Sequence, residues 1–239
     1  MGIEPPSPYK GFPYVTVGLI VLNVLIFLIT TLIFSSIPFV LEENSITQEL
    51  IFYPSDFFAG KNWYSLFTSQ FLHGGVLHII SNMYFLLIFG DDMEFCFGRP
   101  GFIIFYLFSG VIAGMFFAVM ELLYAVLVFP TNIDAILNIG AVGASGALFG
   151  VMAGYGFSFP NRRLKLVPGS SKTIKAKNFV LFYVALEIIY TVAGLLGLIE
   201  GDTTAHAAHI GGFLGGLAFT YLFKFLNNKR YTQIKNLEI

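Results

Sequence analysis

The chain has 239 residues, of which 56% are hydrophobic and only 11% are charged. Ordinary soluble domains carry roughly 25% charged residues, so a soluble fold could not cover its surface with this composition. The net charge of −1 excludes a basic nucleic-acid-binding protein, and the single cysteine, Cys96, excludes a disulfide framework. The composition therefore predicts a membrane protein with several spans.

Six apolar segments follow one another along the chain, each close to the roughly 17–25 residues that a helix needs to cross a bilayer. Helices are expected because unpaired backbone groups are costly in lipid and the alternating pattern of a barrel is absent. The predicted spans cover about residues 14–34, 68–90, 101–125, 143–159, 178–199 and 203–225. We therefore expect an all-α polytopic protein, with residues 1–239 forming a single domain built as a six-helix bundle.

The segment between the first two predicted spans, about residues 35–67, mixes acidic residues with aromatic ones such as Trp63 and Tyr64. Aromatic rings favour the headgroup region of a membrane, so this segment is predicted to be an outer loop lying in the interface. A partly ordered connector is the alternative.

The basic residues indicate an orientation. With both termini in the cytoplasm, Lys61 alone among the 13 Lys and Arg residues would lie outside. Basic residues concentrate in cytoplasmic loops, so the N- and C-termini are predicted to be cytoplasmic. The cell membrane is the simplest location for such a multi-pass chain, and an organelle membrane is the alternative.

Polar side chains inside the predicted spans are informative because they cost free energy there. His78 and Asn82 lie one turn apart on one face of the second span, Ser145 opens the fourth and His209 lies near the start of the sixth. These three spans run in the same direction, which places the motifs roughly 10–15 Å below the outer surface. The shared depth predicts a water-filled cavity that opens outward.

Small residues recur at four-residue spacing in two spans. Such a pattern lets helix backbones approach closely. The fourth span contains Gly146, Gly150 and Gly154, and the sixth contains the pairs Gly211/Gly215 and Gly212/Gly216. Packing of these two spans against each other would bring Ser145 within reach of His209.

This arrangement predicts nucleophilic catalysis. The imidazole of His209 would take the proton of the Ser145 hydroxyl and later give it to the leaving amine. The side chains of Asn82 and His78, with the Ser145 backbone N–H, are candidates to stabilise the oxyanion. No carboxylate is expected beside His209, so a dyad is predicted, with Phe149 stacked on the imidazole.

Three further polar residues are interpreted as structural. His73 and His206 are expected to make packing contacts, although His206 is one turn from His209 and could line the cavity. Glu187 lies in the fifth span, where a charge costs at least about 2.5 kcal/mol, so it is expected to be protonated or hydrogen-bonded without a catalytic role.

With these residues in hand, the chain resembles the rhomboid family of intramembrane serine proteases over essentially all six spans. The segment 78–82, His-Ile-Ile-Ser-Asn, resembles the HxxxN motif of the family's second helix. Residues 143–146, Gly-Ala-Ser-Gly, resemble GxSG at the start of the fourth helix, and residues 205–212 resemble AHxxHxxG in the sixth. One departure is that Trp63-Tyr64-Ser65 stands where the family often has a Trp-Arg pair.

The resemblance implies a rhomboid fold and hydrolysis of a peptide bond in or near a transmembrane helix of a membrane-protein substrate, without metal or cofactor. It makes Ser145 the nucleophile and His209 the general base, and it places His78 and Asn82 in the oxyanion hole. Gly143 would let the backbone pass closely. It does not indicate an oligomeric state.

Three other classes of function are open. A histidine-dependent transporter or channel would use the buried histidines for protons or ions and would survive the change Ser145→Ala. A zinc protein would gather the four histidines around a metal and would be sensitive to chelators. An inactive rhomboid-like binding protein is disfavoured because both Ser145 and His209 are present.

Overall fold

The computed structural model describes residues 11–36, 40–41, 43–44, 46–166, 169, 171–198, 203–229 and 231–232. The regular elements within them are helices, apart from a short antiparallel hairpin that pairs Arg163 with Lys175, and isolated bridges join Val40 to Gly75 and Phe52 to Ala141. In chain order the elements are α1 (Tyr14–Leu32), α2 (Thr47–Leu50), α3 (Pro54–Phe58), α4 (Ser65–Thr68), a 3-10 turn (Ser69–Phe71), α5 (Val76–Phe97), α6 (Arg99–Val128), α7 (Ile133–Leu137), α8 (Ser145–Ser158), β1 (Arg163–Leu164), β2 (Ile174–Lys175), α9 (Ala176–Leu195) and α10 (Thr203–Leu226).

Five of the described helices, α1, α5, α6, α9 and α10, are long and apolar enough to cross a membrane by length and composition. The predicted fourth span is the shorter helix α8, which has 14 residues. Every residue of α8 from Gly146 to Tyr155 is buried, as expected of a helix that is apolar all round. The chain is therefore a polytopic helical membrane protein with α8 enclosed by its neighbours.

The second predicted span is displaced along the chain. Helix α5 begins at Val76 rather than near residue 68, so His73, which falls inside the predicted range 68–90, lies before the helix. The extended backbone of Gly75 separates the 3-10 turn from the helix. At the other end α5 continues past Gly90 to Phe97, and Gly98, with φ of 75°, ends it. The third span is also longer than predicted, and residue 199 of the fifth lies outside the described residues.

Charged residues near the end of α5 are satisfied by neighbouring elements. The carboxylate of Glu94 accepts hydrogen bonds from the backbone N–H groups of Val15 and Thr16, at the start of α1. Asp92 forms an ion pair of 2.6 Å with Arg162, in the loop after α8. Burial lowers the pKa of Arg162, but the Asp92 carboxylate outweighs it, and the net pKa is raised. These partners explain why polar residues do not end the helix.

The segment predicted as an outer loop contains α2, α3 and α4. Phe52 is buried, and its backbone N–H donates to the Ala141 carbonyl at 3.3 Å while its ring packs edge-on against Phe117. Trp63, by contrast, is 68% exposed. The segment is thus partly built into the helical body, and its position relative to a lipid interface stays a prediction. Residues 37–39, 42 and 45 lie outside the described part, as do both chain ends with Lys10, Arg230 and Lys235.

Helices α8 and α10 pack closely against each other. A Cβ added at Gly212 would lie 1.9 Å from the carbonyl oxygen of Gly146, and one at Gly216 would lie 2.3 Å from that of Gly150. The other glycine pair of α10 faces α6 instead, because a Cβ at Gly211 would lie 2.4 Å from the Cβ of Phe116. The two backbones therefore touch, which sets the positions of the residues at the start of each helix.

Candidate active site

Ser145 and His209 meet where α8 and α10 begin to pack. Ser145 is the first residue of α8, and its Oγ lies 2.9 Å from Nε2 of His209. Phe149, one turn along α8, stacks on the imidazole with ring centres 4.2 Å apart and planes inclined by 10°. The hydroxyl can donate to Nε2 only when that nitrogen is unprotonated, in which case a neutral ring carries its hydrogen on Nδ1.

A carboxylate lies on the other side of His209. Oε2 of Glu187, on α9, lies 3.2 Å from Nδ1 of His209, within ion-pair distance but away from the line of a straight hydrogen bond. The same oxygen is 2.5 Å from Nδ1 of His206, whose ring stacks on Tyr190 with centres 4.7 Å apart. The expectation that no carboxylate lies beside His209 is therefore wrong.

The Ser145–His209 pair faces a cavity of about 660 Å³ that is partly open to the surface. This volume is in the usual range for ligand pockets, roughly 300–1,000 Å³. Its lining combines apolar groups with polar side chains from α5, α8, α9 and α10, among them His78, Asn82 and Glu187. His206 is not among the described residues that line it, and it contacts the site through Glu187. The cavity is therefore large enough to hold several water molecules or a small ligand.

His78 and Gly143 are in direct contact at the cavity wall. Gly143 has φ of 126°, a conformation that L-residues rarely adopt, and a Cβ there would lie 2.7 Å from Nε2 of His78. Its backbone N–H donates to the Ser69 carbonyl at 2.9 Å. A glycine is therefore required here both by the backbone conformation and by the imidazole beside it.

Asn82 supplies an unused donor. Its side chain is 5% exposed and lines the cavity, and Nδ2 has no hydrogen-bond partner among the described residues. A buried amide without a partner is costly, so such a group is typical of a site that receives a ligand or water. The amide is available to an oxygen placed in the cavity.

His73 lies where the packing role expected from the sequence would place it. His73 is fully buried with its ring edge-on to His78, at 5.1 Å between centres, which fits the expected packing role.

One cluster in the described part of the chain has the donor atoms that a metal ion needs. It consists of Glu187, His206 and His209, whose possible ligand atoms all lie within 4.8 Å of one another. The zinc alternative required all four histidines to surround one metal ion, and His73 and His78 are not part of this cluster.

The fold and the site together define a class: a polytopic helical membrane protein with a serine and a histidine in hydrogen-bond contact at a cavity between its helices. The family model named Rhomboid domain matches residues 60–224. The chain belongs to the rhomboid family, and the resemblance seen in its motifs is confirmed. This is a family of intramembrane proteases in which some members are inactive.

Several curated relatives share the name. The chain is 33% identical to Rhomboid-like protein 11, chloroplastic, of Arabidopsis thaliana, over 67% of this chain and 52% of that protein. It is 34% identical to Presenilin-associated rhomboid-like protein A, mitochondrial, of Danio rerio, over 70% and 39%. For Rhomboid protein 1, mitochondrial, of Saccharomyces cerevisiae, the identity is 27% over 72% and 45%. The chain thus spans about half or less of the length of these relatives.

Proposed function

We propose that this chain is an intramembrane serine endopeptidase that cleaves transmembrane segments of membrane proteins near the outer face, with Ser145 as nucleophile and His209 as general base. The observation that carries this proposal is the 2.9 Å contact between Ser145 Oγ and His209 Nε2 at the wall of an open cavity. Membership of the rhomboid family supports the reaction type, and the presence of both residues argues against an inactive member.

The proposed reaction needs one proton to move twice. As Ser145 Oγ attacks the peptide carbonyl carbon, its proton passes to Nε2 of His209. When the C–N bond breaks, the imidazolium returns that proton to the leaving amine. A water molecule then repeats the sequence on the acyl-enzyme, releasing the acid product and restoring the Ser145 hydroxyl.

The oxyanion formed in each half-reaction needs donors. The unpaired Nδ2–H₂ of Asn82 and the ring of His78 line the same cavity as Ser145. Ser145 is also the first residue of α8, where backbone N–H groups and the helix dipole favour negative charge. Each well-placed donor typically contributes about 10²–10³ in rate.

The substrate class follows from the chemistry of helices. A transmembrane helix hides its peptide carbonyls in internal hydrogen bonds, so a cleavable segment has to be extended when it reaches Ser145. Substrates are therefore membrane proteins with small or helix-weakening residues near the outer face. The volume of the cavity suits a few residues rather than a whole helix.

The proposed topology counts α8 as the fourth of six membrane helices, with both termini in the cytoplasm and the site opening outward. His78 lies near the start of α5, whereas Asp92 near the other end of α5 pairs with Arg162 in the basic loop. Basic loops stay in the cytoplasm, so the site belongs to the opposite side. The cell membrane is the proposed location, and the organelle names of several relatives make an organelle membrane the alternative to test.

The experiment is labelling of the purified protein by a mechanism-based serine reagent, together with cleavage of a transmembrane substrate. Ser145→Ala and His209→Ala should abolish both. Ser158→Ala, which removes a buried hydroxyl at the other end of α8, is the matched control and should keep both. Labelling that persists in Ser145→Ala contradicts the nucleophile, and coupled ion flux that survives this change would favour a transporter.

A further inference from the structure

We propose that Glu187 is a positioning residue for His209, so that Ser145, His209 and Glu187 act as one unit. This inference rests on the proposed function of the site and adds a third residue to it. The dyad expected from the sequence had no carboxylate, and the structure places one within 3.2 Å of the imidazole.

The burial of Glu187 is the first argument. On α9 the neighbouring residues Ile188 and Ile189 are exposed, whereas Glu187 is only 8% exposed and turns toward α10. A carboxyl group on a membrane-spanning helix is costly unless polar partners meet it. The partners that meet it are the Nδ1 atoms of His206 and His209. The carboxyl group therefore belongs to the site rather than to the lipid-facing surface.

The tautomer of His209 is the second argument. Ser145 Oγ lies 2.9 Å from Nε2, and for the hydroxyl to donate to the lone pair of Nε2, as the proposed function requires, a neutral ring has to carry its hydrogen on Nδ1. Nδ1 is buried, and no other acceptor among the described residues meets it. The nearest acceptor is Oε2 of Glu187, and a small rotation of either side chain would align the bond. Glu187 thus favours the tautomer in which His209 can act as a base.

Glu187 is itself held in place. The 2.5 Å contact with Nδ1 of His206 fixes one carboxylate oxygen, and Tyr190 stacks on the His206 ring. On the other side, Phe149 stacks on His209. The imidazole is therefore positioned from two directions, by an aromatic face from α8 and by a carboxylate from α9.

During the reaction the carboxylate would not take the proton. The Ser145 proton moves to Nε2, which leaves a positive imidazolium with both nitrogens protonated, and Glu187 stabilises that charge while keeping the ring aligned. The proton then leaves from Nε2 to the departing amine. Removing the carboxylate should slow the chemical step without weakening substrate binding.

The test compares Glu187→Gln with Glu187→Asp on a transmembrane substrate, measuring kcat and KM separately. Glu187→Gln should lower kcat at least tenfold and leave KM within about twofold, since losing the carboxylate of a serine triad typically costs far more than tenfold. Glu187→Asp keeps the charge and should restore part of kcat. Unchanged kcat in Glu187→Gln, or no recovery in Glu187→Asp, would overturn the proposal.

Glu121→Gln is the matched control. Glu121 is a buried glutamate on α6, beside Thr191 and Ala207 at a separate small cavity. The variant Glu121→Gln should keep the wild-type kcat. If Glu121→Gln and Glu187→Gln lose kcat equally, and their Tm values fall in parallel, Glu187 has only a structural role. If Glu187→Gln does not fold, the intermediate kcat expected of Glu187→Asp decides the matter alone.

Two further arms distinguish a positioning carboxylate from a wrongly assigned nucleophile and from a metal ligand. Ser145→Ala is run in the same series, and if it still cleaves or is still labelled, the proposed function fails rather than the role of Glu187. Treatment with EDTA should leave kcat unchanged. Loss of activity with EDTA and recovery with Zn²⁺ would overturn the positioning role, because Glu187 would then act through a metal.

Discussion

The two sides of α10 are held in different ways. Toward α8 the contact is between backbones, with Gly212 and Gly216 seated on the carbonyls of Gly146 and Gly150. Toward α9 the contact near the site runs through side chains, chiefly the close contacts of the Glu187 carboxyl group with His206 and His209. Ser145 and His209 are thus placed by packed main chain, while the Glu187 carboxyl group is placed by polar contacts. Damage to the first contact should destroy the fold, and damage to the second should change the rate.

The largest effect is expected from Gly212→Ala. The new Cβ would lie 1.9 Å from the carbonyl oxygen of Gly146, so the two backbones have to separate. Overpacking of side chains costs about 1–3 kcal/mol, and a clash with main chain cannot be relieved by a rotamer change. We expect a large fall in Tm in detergent and loss of serine labelling.

The control for this variant is Gly18→Ala. Gly18 lies inside α1, where an added Cβ meets no atom within 4 Å, and alanine favours a helix more than glycine does. Its Tm should stay the same or rise. A wild-type Tm in Gly212→Ala would contradict the backbone contact.

Gly143→Ala should leave the helices in place but disable the site. Alanine is strained at φ of 126°, and its Cβ would displace the ring of His78 at the cavity wall. Loss of an oxyanion donor corresponds to about 10²-fold in kcat or more. Cleavage kinetics with Tm measured in parallel test this, and a wild-type kcat would remove the Gly143–His78 contact from the mechanism.

Asn82→Ala should lower turnover by about tenfold or more, because an unpaired donor in the cavity is lost. Its matched control is Asn23→Ala, which removes a fully buried amide from α1, outside the cavity lining. The control should keep the wild-type kcat in the same assay. Equal kinetics for Asn82→Ala and wild type would exclude Asn82 from the oxyanion role.

The smallest effect is expected on the α9 side. Tyr190→Leu removes the ring stacked on His206, and an aromatic pair is worth about 0.5–1.5 kcal/mol, so kcat should fall a few-fold and Tm by only a few degrees. Phe182→Leu, an exposed position on the same helix, should have no effect. If Tyr190→Leu lowers Tm as much as Gly212→Ala does, the proposed difference between the α8 side and the α9 side of α10 is contradicted.

The parts of the site that could be predicted from sequence share a physical basis. Small residues every four positions let the backbones of α8 and α10 approach closely. The contact of Gly146 with Gly212 then fixes the positions of Ser145 and His209, which lie on the neighbouring part of each helix. The position of Glu187 could not be predicted in this way, because the rotation of α9 about its axis depends on side chains spread over its length rather than on one pattern of small residues. The cost of a carboxyl group in an apolar helix was nevertheless a signal that it faces a polar partner.

The span boundaries show where hydropathy alone is insufficient. Windows that count charges end the second span near Gly90, yet α5 runs on because Asp92 and Glu94 have partners in Arg162 and the start of α1. Those partners lie far away in sequence and become visible only in the fold. The start predicted near residue 68 is wrong because Phe71 and Leu72 are apolar but belong to a 3-10 turn and the segment after it.

The shortness of α8 has a consequence for the surrounding bilayer. A helix of 14 residues is about 21 Å long, whereas the hydrocarbon layer is roughly 30 Å thick. In the proposed topology, with α8 as the fourth membrane helix and Ser145 toward the outer face, α8 is shorter than that layer is thick, and the shortfall would leave a water-filled well above Ser145. The depth of that well is set by membrane thickness, so reconstitution in lipids with longer acyl chains should lower the rate at which water reaches Ser145.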